Sequence, residues 1–172
     1  NYLCSSTLNE NDCINSKKNY TDINFALRYT QKNNNLDFGI FVAKESDERY
    51  SNGKDFYAIR SKKKVDNRTI GYFLTHVENN FLNESATVNV IDFANVKSNK
   101  LTIYNDLISS ERDGKTGFGY RSQFNYKPTP LSRRSGSILY FDDNLILNDF
   151  GYLKKNDWFH IGIGSDLSLI HI

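Results

Sequence analysis

The stretch Ser109-Ser110-Glu111-Arg112-Asp113-Gly114-Lys115-Thr116 comes nearest in this chain to a phosphate-binding loop. Such a loop needs glycine at its first position so that the backbone can wrap the phosphates, and here that position is Ser109. It must also open a helix whose N-terminus faces the anion. The next residues are instead Gly117-Phe118-Gly119-Tyr120, a strand-like run. Asp142 and Asp143 are adjacent, so on an extended chain they point to opposite faces and cannot form a two-carboxylate acid/base pair. With Asn144 they read instead as the turn of a hairpin between Leu139 and Leu147. Together with Asn148 and Asp149 they supply oxygen ligands, but not at the spacing of a calcium loop. His76 and His160 lie in no triad or metal motif, and Ser135-Gly136-Ser137-Ile138 lacks the flanking glycines of a nucleophile elbow. No catalytic residue, metal ligand or cofactor site is therefore assigned, and the reading leans away from an enzyme.

Two cysteines, Cys4 and Cys13, are separated by a polar, turn-rich spacer. They read as a disulfide closing a small loop, worth roughly 2.5–3 kcal/mol on the chain-entropy model. That pairing implies an oxidising, extracytoplasmic or secreted setting. The candidate contact surface is Arg121, Gln123 and Asn125, which share one parity opposite Phe118, Tyr120, Phe124 and Tyr126.

The elements that must position these groups are strands. Aromatic residues are plentiful, with 12 Phe and 11 Tyr against one Trp, so a few buried rings can anchor a core. From residue 21 the dominant period is two: Ile23, Phe25, Leu27 and Tyr29 alternate with polar neighbours, as do Leu36, Phe38, Ile40 and Val42. Asp113-Gly114 and Asn52-Gly53 are turn signals. Pro128 and Pro130 are expected to end the strand before them. Residues 145–147 and 158–164 read as further strands. Residues 65–82 are two-sided: Ile70, Phe73, Val77 and Phe81 recur at helical spacing with Asp66 as a cap, but Thr69 to His76 favours a strand. Strand is preferred, since Gly71 weakens a helix by roughly 1 kcal/mol.

Regular short strands with turns between them predict an all-β fold, an antiparallel jelly-roll-like β-sandwich of nine or ten strands with at most one short helix. Trp158-Phe159-His160-Ile161 resembles the Trp-bearing strand of laminin-G and concanavalin-like jelly rolls over those four residues, and that resemblance implies two packed sheets. Residues 1–20 read as an N-terminal extension, 21–166 as one β-rich domain and part of a longer protein, and 167–172 as a non-native tail translated from a sequencing adapter.

Basic and acidic residues number 22 and 20, for a net charge of +2. That balance gives no concentrated basic face for nucleic acid, and Lys62-Lys63-Lys64 reads as a solvated run. No apolar run approaches the ~20 residues of a spanning segment, so no membrane span is expected. The function expected from these features is a non-catalytic binding or adhesion module for a glycan or protein surface. The alternatives are a jelly-roll hydrolase of polysaccharide, which needs two carboxylates ~5–9.5 Å apart, and a ligand-sensing domain, which needs 65–82 to be helical.

Overall fold

The computed structural model describes residues 22–46, 53–79, 83–97, 100–147 and 155–167. Cys4, Cys13 and residues 168–172 lie outside the described residues. Nine antiparallel strands form one sheet in chain order: β1 Ile23–Lys32, β2 Leu36–Glu45, β3 Asp55–Val65, β4 Arg68–Asn79, β5 Glu84–Lys97, β6 Leu101–Arg112, β7 Lys115–Thr129, β8 Ser132–Phe141 and β9 Trp158–Leu167. There is no helix among the described residues. The expected strands are present, but the second layer of a sandwich is not among them: each strand pairs only with its sequence neighbours. Among the described strands the order is a simple meander and no jelly-roll arrangement is shown; Trp158 opens β9 opposite Phe141.

Local chemistry explains the meander. Two-residue connections at Asp66-Asn67 and Asp113-Gly114 place Asp66, Asp113 and Gly114 at positive φ, the geometry that matches strand twist in a tight hairpin. Residues 65–79 therefore supply the last residue of β3, the turn and all of β4, the preferred strand reading rather than a helix, and residues 80–82 lie outside the described residues. Pro128 does not stop β7, which runs on to Thr129; the missing N–H is absorbed by a register shift between Tyr126 and Thr129. The expected hairpin from Leu139 to Leu147 does not form either. Asp143 and Asn144 do turn, but residues 145–147 leave the ladder and β8 pairs with β9 instead.

The connections divide the sheet into two ends. Residues 33–35, 66–67, 98–100 and 130–131, connections of two or three residues, join the strands at one end. Residues 46–54, 80–83, 113–114 and 142–157 join the strands at the other, and two of these connections are longer than any at the first end.

The sheet curls. Apart from Gly136, which lies under Phe124 on the other face, buried strand residues such as Ala43, Ala58, Thr75, Val77, Val88, Asp106 and Ser110 lie on the face shared with Arg60 and Gly119, where side chains crowd together. A recess of about 570 Å³ on that face is lined from β3 to β9, which marks it as concave. On the convex face the side chains splay apart, and most of the exposed large apolar residues are there: Leu27, Ile40, Ile59, Ile70, Ile91, Phe93, Phe118, Phe124, Ile138, Tyr140, Phe159 and Ile161 among them.

Candidate functional site

One row of directly opposed residues crosses the concave face: Thr30, Gly39, Arg60, Phe73, Val90, Ile108, Gly119, Phe141 and Trp158. On the loop side of this row, across β4 to β7, the polarity is that of a water-soluble protein. The convex side chains there are mostly polar, His76, Glu78, Ser85, Thr87, Asn89, Ser109, Glu111 and Thr116 with Leu74 and Phe118 as the apolar exceptions, while the concave ones mix Val77, Ala86 and Val88 with Thr75, Asn79, Glu84, Ser110, Arg112 and Lys115. His76 faces Thr87, with Nδ1 2.8 Å from its Oγ1, so it belongs to this polar collar. On the turn side the polarity inverts. Convex positions carry Tyr72, Ile70, Ile91, Phe93, Leu107, Ile103, Phe124 and Ile138, while concave positions carry Asp92, Asp106, Arg121, Gln123, Asn125, Ser137 and His160.

The charged centre of the concave face sits at this boundary. Asp92 and Asp106 stand directly opposite each other on β5 and β6. Like charges in that position repel. Each is held by an arginine. Arg121, directly opposite Asp106, grips it through Nε at 2.5 Å and through a second guanidinium nitrogen. Arg60 reaches Asp92 across the intervening strand β4. It can do so because β4 carries Gly71 there: a Cβ on Gly71 would lie 2.7 Å from Asp92 Oδ1 and 2.8 Å from the Arg60 guanidinium. The result is a plus–minus–minus–plus line whose carboxylates are mostly covered while the guanidinium groups stay more open. Two carboxylates each committed to an arginine are poor general acids or bases, but they present fixed donors and acceptors to a polar solute.

Of the three sequence candidates, all lie on the concave face of β7. Arg121 joins the charged line. Asn125 accepts from Arg133 Nη2 at 2.6 Å, and Gln123 lies opposite Tyr104 and Ser137. Sequence reasoning missed Arg60, Gly71, Asp92 and Asp106. Parity signals Asp92, which sits on the opposite face from Ile91 and Phe93, but not the others, since Phe56, Phe73, Tyr104 and Ile108 share the face of Arg60, Gly71 and Asp106.

Loop residues complete the site. Leu145 is 1% exposed, the least exposed apolar residue described, although it belongs to no strand. It lies against Gly119, where a Cβ would come 2.9 Å from its Cδ2. Trp158 stands beside it in the recess, with its ring centroid 6.5 Å from Phe141 and 5.7 Å from His160. No family model matches the chain, and no curated protein or solved structure matches it.

Proposed function

We propose that this sheet is part of the wall of a membrane-spanning β-barrel, with its convex face in lipid and its concave face toward an aqueous interior. The observation that carries the reading is the inversion of polarity across the row from Thr30 to Trp158. A soluble sheet that curls puts its apolar side chains on the inside of the curve. Here the turn-side half does the reverse, as a barrel in hydrocarbon requires.

Three features agree. The strands are 10 to 15 residues long, against roughly 9–11 needed for a tilted strand to cross a bilayer. The ~20-residue criterion that argued against a span applies to helices alone. Connections of two or three residues gather at one end of the sheet and the two longest connections lie at the other, the asymmetry of outer-membrane barrels. The apolar band also drifts across the sheet. On β1 Ile23 to Tyr29 lie on the loop side of the Thr30–Trp158 row, whereas on β9 Phe159, Ile161 and Ile163 lie on its turn side. A band level in the membrane must drift in this way if the strands are tilted, as closure into a barrel demands.

This reading keeps the extracytoplasmic setting expected from the sequence and changes the role of the apolar face. A glycan- or protein-binding sandwich needs a second layer over that face. A hydrolase needs two free carboxylates, whereas Asp92 and Asp106 are each bound by arginine. Site-directed spin labelling of the full chain refolded into phospholipid vesicles tests the proposal. Labels at Ile59, Ile138 and Ile161 should be relaxed by oxygen and shielded from a water-soluble nickel chelate. Labels at Thr87, Ser109 and Gln123 should show the opposite. Water accessibility at all six positions would overturn the reading.

A further inference from the structure

Resting on that membrane reading, we propose that residues 142–147 are a fixed constriction inside the barrel, a loop segment turned inward and seated on the wall. The seat is built for it. A Cβ on Gly117 would run into the backbone of Asn144 and Leu145, so only glycine lets the segment approach β7 this closely. Gly119 leaves room for the Leu145 side chain in the same way. Polar contacts fix the path. Asp142 exchanges two bonds with Phe118, its backbone N–H donating to the carbonyl at 3.0 Å and its carboxylate accepting from the Phe118 N–H at 2.8 Å. The Ile146 N–H donates to the Ser110 Oγ at 3.1 Å, and Ser110 is 2% exposed. The Asp157 N–H donates to the Asp142 carbonyl at 3.2 Å, which closes the base of the loop.

Leu145 and Leu147 line the same recess as the Arg60–Asp92 and Asp106–Arg121 pairs, and Lys155 lines it too. A solute moving along the concave face passes the Leu145 and Leu147 side chains and a line of fixed charges of both signs. That arrangement narrows the path to small hydrophilic solutes and screens them by charge distribution.

Single-channel recording in planar bilayers of the closed wall that contains this chain tests the proposal, with two variants. Gly117→Val places a strand-compatible side chain where the segment's backbone now lies. Leu145→Gly removes the anchor and adds no bulk to the wall. Each should raise unitary conductance by roughly twofold or more, as expected when a segment leaves a pore lined by side chains. Wild-type channels with both variants unchanged would overturn the constriction and leave the membrane reading standing. A wild-type chain that inserts into no bilayer and forms no channel would overturn the membrane reading, and the constriction with it.

Discussion

Asp106 shows how a single register position decides chemistry. It faces Asp92 on one side and Arg121 on the other, and its side chain is only 12% exposed. Substituting Asp106→Asn removes a charge-assisted bond and leaves Arg121 beside a carboxamide, so stability should fall by about 1–2 kcal/mol, discounted because the arginine is half exposed. Arg121→Gln alone should cost a similar amount, since it leaves two opposed carboxylates with one arginine between them. The double variant should cost less than the sum, and a double-mutant cycle on urea midpoints of the refolded chain measures the coupling. Strict additivity would show that the pair contributes nothing as a pair. Gly71 makes a second prediction. Gly71→Ala crowds both Asp92 and Arg60, and should destabilise by about 1–3 kcal/mol in the same assay, although the site is within a strand where alanine normally outperforms glycine. Neither effect was legible in the sequence. Arg60 and Asp92 are 32 residues apart, and only the lengths of two intervening connections bring them together.

At the level of elements, the period-two pattern located the strands well but could not say which were partners or what covered each face. Residues 65–82 show why. Ile70 lies on the convex face, whereas Phe73 and Val77 lie on the concave one. Both faces of β4 carry apolar residues at different depths, so a strand crossing the polarity boundary imitates a helical stripe. Residues 145–147 failed for the converse reason: a short apolar run looks like a strand whether it pairs with a neighbour or packs on a wall. Convex polar residues are also reconciled only by the register. Asn105 accepts from Tyr120 Oη at 3.1 Å and from Ser122 Oγ at 3.0 Å, so on the membrane reading its side-chain oxygen would meet lipid already satisfied. The β6–β7 hairpin, by contrast, was readable from Asp113-Gly114 alone. Gly114 has φ +74°, and Gly114→Val should cost about 1–2 kcal/mol from left-handed backbone strain. Asp113→Gly should be close to neutral. Thermal or urea midpoints of the two variants check the difference, and equal midpoints would show that the turn does not hold the hairpin in register.

For the whole molecule, the two edge strands impose a condition. β1 and β9 each have one neighbour among the described strands, and both run from the loop end to the turn end. Hydrocarbon leaves no unpaired backbone edge, so a wall that closes with antiparallel pairs throughout takes an odd number of further strands between them. The membrane reading also predicts how substitutions should vary with depth. Arginine placed on the convex face should cost about 2–4 kcal/mol near the middle of the apolar band and about 0–1 kcal/mol near its margins. Ile59→Arg, Ile138→Arg and Ile161→Arg are therefore expected to be the costly variants in lipid vesicles. Thr87→Arg and Thr116→Arg, in the polar collar, should be tolerated, and so should Gln123→Arg on the concave side. The same scan in aqueous solution separates the bilayer from a protein partner. A face meant for water loses nothing on gaining a charge, and a face meant for a protein layer is penalised according to local packing rather than depth. A cost that follows the tilted band from the loop side of β1 to the turn side of β9 is the signature of lipid; a cost indifferent to depth would remove it.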